Sequence, residues 1–228
     1  MIFPSLRCAS TRPSQAGRKV ILVTGPLPHY GLDIETDTAA GGLDPSRAAV
    51  VAVALSGPGG ERVITGPEGR LLRTVDRAVA RLEPGILVTW NGAGFDLPFL
   101  ADRARRIGVR LGLRLWADPT IVRHRDPLAG HPWSYRASWH AHRHLDAYLA
   151  YRSLLAGTEL SCSLKATARR AGMRPVEVDV GRLHCLPRGE LVRYVASDAR
   201  TTRLLAEARW AEVAGFVDRV AGRRTGQR

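Results

Sequence analysis

The sequence predicts an α/β fold, a mixed β-sheet flanked by α-helices. The element order predicts it: three strands, a helix, a strand, then helices. No internal repeat and no long linker interrupts that order. The 228 residues suffice for one domain with a substantial core, whereas two full domains would be a squeeze.

Each element has its own local reason. Residues 19–24 form a short apolar run that reads as an edge strand, and 29–36 reads as a strand before a Gly-, Asp- and Pro-rich loop at 37–47. Residues 48–55 are continuously apolar and strand-sized. The glycines at 57–60 turn them into a second run, 61–65, as a hairpin. Over 70–82, Leu71, Leu72, Val75, Val79 and Leu82 fall at helical spacing, and Pro84 and Gly85 end the helix. Residues 86–90 are a short apolar strand, and 95–107 a helix stopped by Gly108. The stretch 118–142 mixes His, Arg, Trp, Pro and Gly without a clear period. Helical patches follow at 144–155, 163–171 and 188 to about 221, with HLDAY (144–148) reading as a strand-to-helix junction.

Composition limits the function classes. The hydrophobic fraction is 45 %, ordinary for a globular chain, and no uninterrupted apolar run approaches the length of a membrane span, so no membrane partner is expected. The net charge of +13 and pI near 11.0 favour a polyanionic partner, nucleic acid first. Nearly all the cations are Arg, with Lys only at Lys19 and Lys165. A GC-rich genome gives the same bias, so the charge supports nucleic acid without proving it. Cys8, Cys162 and Cys185 form no C-x-x-C pair, which argues against a disulfide framework or a cysteine zinc site and fits a cytoplasmic location. Residues 1–18 lack any acid and lack a secretory apolar core. They read as a disordered basic leader, with the domain at 19–222 and a basic tail at 223–228.

Three runs carry candidate chemistry. In GLDIET (31–36), side chains alternate, so Leu32 and Ile34 enter the core while Asp33 and Glu35 share the other face. Two like charges on one face suit a hard divalent cation between them, or simply a wet sheet face. In VTWNGAGFDLPFL (88–100), Asn91 and Gly92 follow a strand, and Asp96 opens a helix. By itself Asp96 reads as an N-cap, with Pro98 close to the helix start. In RYVASDARTTRLL (193–205), Tyr194 and Asp198 share one helical face. Asp198 also lies on a stripe with Leu191, Thr202 and Leu205, which puts a carboxylate where a helix normally buries apolar groups. Burial is costly there without a metal or an Arg partner.

Together, D-x-E in a first strand, N-G-x-x-F-D after a strand and Y-x-x-x-D in a late helix resemble the three exonuclease motifs of the DEDD superfamily, in its tyrosine branch. The second motif, NGAGFDLPFL, is similar to the exonuclease domains of family B DNA polymerases and their stand-alone relatives. The resemblance covers roughly 31–205 and implies a ribonuclease-H-like fold and 3′→5′ removal of nucleotides, with single-stranded DNA favoured. It implies two divalent cations, Mg²⁺ with Mn²⁺ as substitute. Asp33, Glu35 and Asp198 would hold the metal that binds the attacking water. Asp33 would bridge to the second metal, with Asp96 beside it or reaching it through water. Tyr194 would orient the water, and Asn91 and Phe95 would face the terminal nucleotide at a single-stranded 3′ end. The rival readings are a silent nucleic-acid-binding domain, an RNA-directed exonuclease and a structure-specific endonuclease.

The segment 118–151 interleaves Arg123, His124, Arg125, Arg136 and Arg143 with Trp133, Tyr135 and Trp139, as a single-strand channel does. Packing of these rings beneath a loop is the plainer alternative. A zinc site built from His140, His142, His144 and Asp146 is weaker, because their spacing lacks the i, i+4 register.

Overall fold

The computed structural model describes residues 27–37, 39 and 43–218. The expected edge strand at 19–24, the leader and the tail lie outside the described residues.

Among the described residues, one seven-stranded mixed sheet runs in the order β3-β2-β1-β4-β7-β6-β5. Its strands are β1 His29–Thr36, β2 Val50–Gly57, β3 Gly60–Thr65, β4 Ile86–Thr89, β5 Leu113–Asp118, β6 Ser134–Trp139 and β7 His142–Asp146. β1 pairs antiparallel with β2 and parallel with β4; β4 pairs parallel with β7. The helices are α1 Glu68–Arg81, α2 Asp96–Arg106, α3 Ala147–Leu154, α4 Leu164–Arg170, α5 Arg188–Ala208 and α6 Trp210–Val213. This is the α/β, ribonuclease-H-like arrangement that the motifs implied.

The two faces of the sheet are covered differently. Leu32 and Ile34 join Leu71, Leu72, Val75 and Val79 of α1, with Leu97, Phe99 and Leu100 of α2, in the main core. The opposite face meets α5. Ala52 and Ala54 pack there against Val195 and Ala199, and their cross-strand partners on β1 are Glu35 and Asp33. Small residues let the helix approach closely, and Gly31 is the extreme case: a Cβ there would stand 1.9 Å from the carbonyl oxygen of Ala199. Central β4 is buried on both sides, as a parallel strand should be. Leu87 belongs to the α1/α2 layer, and Ile86 and Val88 to the layer formed with α3, α5 and α6.

Glu68 ties three elements together. Its carboxylate accepts from Val50 N (2.9 Å) and takes a bidentate pair from Arg103 of α2, at 2.8 and 2.7 Å. That is the strong planar geometry available to a guanidinium.

Several expectations need correction. The patch at 144–155 is not helical throughout. His142–Asp146 is β7, and the helix begins at Ala147 because the Asp146 side chain accepts from Tyr148 N and Leu149 N as its cap. The helix expected over 188–221 stops at Ala208, where Arg209 leaves helical geometry at φ −123°, ψ 30°; α6 and a 3-10 turn, Ala214–Phe216, follow. The aperiodic middle stretch, together with the residues just before it, holds β5 and β6, so the sheet has more strands than the four expected in the described part. No helix among the described residues is long and apolar enough to cross a membrane.

Candidate active site

Alternation along β1 delivers Asp33 and Glu35 to the α5 face, as the sequence implied. A register shift against β2 falls between Glu35 and Thr36, so the strand is irregular just after its second acid; such irregularities commonly sit beside functional sites. From α5, Tyr194 and Asp198 turn toward the same place, both buried. Asp96 arrives from the other side of β4, at the first turn of α2.

Asp96 is not the N-cap of its helix. The cap position belongs to Phe95, which makes no side-chain cap bond. The Asp96 carboxyl is instead buried beside the other acids.

Asn91 and Phe95 sit in the turn between β4 and α2, and that turn is held by an acid from another strand. Asp146 is buried at the end of β7. Its Oδ1 accepts from Asn91 N (3.0 Å) and Tyr148 N (3.0 Å), and its Oδ2 from Ala93 N (2.9 Å). Asn91 itself adopts φ +70°, a left-handed conformation that Asn tolerates better than most residues. Its carbonyl accepts from Gly94 N and Phe95 N at 3.1 and 3.0 Å. One carboxylate thus anchors both this turn and the start of α3.

A groove of about 1220 Å³ runs over the site, lined by Asp33, Asp96, Asn91, Phe95 and Tyr194, with Arg123, His124 and Arg125 on its far wall. Glu35 lines a separate, smaller cleft of about 250 Å³, and Asp198 is buried.

The electrostatics of this cluster are unfavourable as it stands. Burial, then Asp198, Asp96 and Glu35, hold the Asp33 carboxyl well above its ordinary range. Burial, with Asp198 and Asp96, pushes Glu35 up to about 8. Burial and Asp146 push Asp96 up to about 7, while hydrogen bonds from its own backbone and that of Ile34 pull the other way. Asp198 is raised by burial and held down by Lys165 and Tyr194; the Tyr194 phenol is raised by burial and the surrounding acids.

The compensating cation is Lys165 of α4, a residue the sequence reading did not single out. Its ammonium hydrogen-bonds Asp198 Oδ1 and stands 4.5 Å from the centre of the Tyr194 ring. No group of three or more His, Cys, Asp or Glu side chains among the described residues is arranged to grip a metal ion as it stands. The donor chemistry is nonetheless that of a hard cation site: clustered carboxylate oxygens, short of positive charge.

The histidines do not converge. His142 bonds Val79 O (3.0 Å) and accepts from Gly85 N (3.2 Å). His144 bridges Thr89 Oγ1 (2.8 Å) and Asp218 Oδ2 (3.0 Å), and His140 meets Asp76 (3.0 Å). Each is occupied by a separate structural partner. Among the aromatics of this segment, Trp139 is core, while Trp133 is exposed.

Residues 29–149, more than half of the chain, match the family described as DNA polymerase family B, exonuclease domain. The chain belongs to this family. The match takes in Asp33, Glu35, Asn91, Phe95 and Asp96 and ends before α5, so Tyr194 and Asp198 lie outside it. Among curated relatives, the chain is 30 % identical over 67 residues to DNA polymerase 1 of Pyrococcus abyssi, 29 % of this chain and 9 % of that protein. It is 35 % identical over 65 residues to a DNA polymerase of Thermococcus litoralis, 27 % of this chain and 4 % of that protein. The family B DNA polymerase structure from Pyrobaculum calidifontis superposes with a TM-score of 0.61 at 28 % identity, covering 81 % of this chain and 24 % of the polymerase. The chain therefore spans about a quarter of that solved polymerase, and its matches span under a tenth of these curated ones.

Proposed function

We propose that this protein is a metal-dependent 3′→5′ exonuclease of the tyrosine branch, acting on single-stranded nucleic acid ends, DNA in the first instance. The observation that carries the reading is the convergence of Asp33, Glu35, Asp96 and Asp198 from β1, α2 and α5 into one cluster, each acid raised by burial and several by one another. A fold does not keep such a set together for stability, because buried like charges oppose folding.

The acids fit two divalent cations, Mg²⁺ with Mn²⁺ as substitute, held by Asp33, Glu35, Asp96 and Asp198. When bound, these supply a nucleophile ionised near neutral pH and positive charge at the scissile phosphate. The protein's own groups do the rest. Tyr194, a phenol whose pKa is raised further by burial and the surrounding acids, donates a hydrogen bond that orients the attacking water. Asn91 and Phe95 line the groove where the terminal nucleotide lies, Phe95 presenting a ring for a base or sugar. Lys165 balances Asp198 until a cation shares that carboxylate.

The test is digestion of 3′- and 5′-labelled single-stranded DNA and RNA in Mg²⁺, Mn²⁺ or EDTA, with Asp198→Ala as control. Early release of the 3′ label with metal, lost in EDTA and reduced on the order of a thousandfold in the variant, supports the reading. Intact binding without cleavage of any substrate leaves a silent binding domain. Cleavage of a circular single strand makes it an endonuclease.

A further inference from the structure

Beside the catalytic groove lies a second cavity, of about 640 Å³, at the end of β7 and β6 and against α3. His124 lines both spaces, so the two are neighbours. We propose that this second cleft holds an upstream nucleotide of the single strand whose 3′ end occupies the groove. The strand is taken from the proposed function; the cleft and its chemistry are separate observations.

The walls suit a nucleotide on three counts. One lip is basic. Arg152 of α3 has no acid partner among the described residues, and its NH2 stands 3.5 Å from His124 Nδ1. A guanidinium with no acid partner, at an open lip, makes a ready place for a phosphate. The acids on the walls do not cancel this charge. Asp146 is consumed by backbone N–H groups. Asp218 is consumed by Arg136 (3.1 Å), Ala137 N (2.8 Å) and His144 (3.0 Å). Part of the remaining wall is apolar and open to solvent: Ile121, Val122 and Phe216 line it, Val122 67 % exposed and Phe216 38 % exposed. An exposed aromatic ring such as Phe216 is what sequence-tolerant base stacking requires. The cavity also falls within the size range of small-ligand sites, about 300–1,000 Å³, ample for one nucleotide.

The strand, rather than a free nucleotide, is the occupant because the cleft adjoins the groove through His124. A chain with its 3′ end at Asn91 and Phe95 would pass Arg123 and Arg125, which line the groove, and enter the cleft beside His124, which lines both.

The experiment works in EDTA, so that its outcome does not depend on catalysis. A short oligothymidylate carrying one 4-thiothymidine at successive positions from its 3′ end is photo-crosslinked to the full chain, and the attachment peptides are mapped. Binding of the same oligonucleotide and of thymidine 5′-monophosphate is measured for wild type, Arg152→Ala, Arg152→Glu and Phe216→Ala. The proposal expects crosslinks in 120–122 or 215–216, which line the cleft and not the groove, from an internal position, and in the groove from the terminal one. Strand affinity should fall on the order of tenfold in Phe216→Ala, and the slope of log affinity against log salt should drop by about 0.7 in Arg152→Ala. Wild-type strand affinity and salt slope in all three variants would overturn it. So would crosslinks confined to the groove, or a cleft whose variants lose the monophosphate but not the strand. A protein that binds and crosslinks as expected yet cuts nothing would keep this inference and remove the exonuclease reading.

Discussion

Glu35 and Asp96 set the pH behaviour of the metal-free protein. Burial first, and neighbouring acids second, raise Glu35 from 4.5 to about 8 and Asp96 from 3.8 to about 7. Between the ordinary and the raised values, the folded state holds protons that the unfolded chain has released. The proton-linked stability is therefore full below about pH 4 and is lost as pH rises through about 7–8. A divalent cation that binds the ionised forms opposes the loss. In EDTA the midpoint of thermal unfolding should fall from about pH 5 to about pH 8, and fall less in Glu35→Gln. Mg²⁺ should raise that midpoint more at about pH 8 than at about pH 6. A melting curve insensitive to pH in EDTA would mean that the acids do not repel as described. Asp33 and Glu35 were legible because strand alternation is a local rule. Lys165 was not: in a chain with 34 Lys and Arg residues, nothing near position 165 says that its ammonium meets a carboxylate on a later helix.

The turn between β4 and α2 depends on Asp146. Its carboxylate satisfies backbone donors of Asn91, Ala93 and Tyr148, and removing it leaves buried N–H groups unpaired at about 1–3 kcal/mol each. Asp146→Ala should lose about 3 kcal/mol or more in urea unfolding and should weaken terminal-nucleotide binding, because Asn91 and Phe95 lose their anchor. Retention of both stability and binding would show that the turn holds itself. The sequence placed Asp146 in a strand-to-helix junction, where it caps α3; its second task needs the pairing of β4 with β7. The same reasoning explains why β6 went unseen and β7 showed only its end, in the junction HLDAY. β6 and β7 bury Ser134, Ser138, His142 and His144, and the two histidines are core residues whose partners, Val79, Gly85, Thr89 and Asp218, come from elsewhere in the chain. Hydrophobic period cannot find a strand whose buried positions are polar and satisfied at long range. By contrast, β1 through α2 follow plain apolar patterns, and there expectation and structure agree to within about two residues at most boundaries, as assignments commonly do.

At the scale of the molecule, the net charge of +13 coexists with an acidic centre. On the proposed function the sign of the surface and the sign of the site have different tasks: long-range attraction of a polyanion, and local affinity for cations. Affinity for a single strand should therefore decline linearly with salt on logarithmic axes, by about 0.7 for each phosphate contacted, when measured in EDTA; a salt-independent affinity would assign the excess Arg to genome composition alone. The order of elements has a further consequence. Asp33, Glu35 and Asp96 belong to the early half of the chain, whereas Lys165, Tyr194 and Asp198 come late, on α4 and on α5, which lies against Gly31 at the strand that bears the first two acids. Until α4 and α5 have been made, the emerging chain carries half a centre, with neither the tyrosine nor the closing carboxylate. Assembly of the cluster thus waits on the order in which its parts are made, and is complete only when that long helix docks.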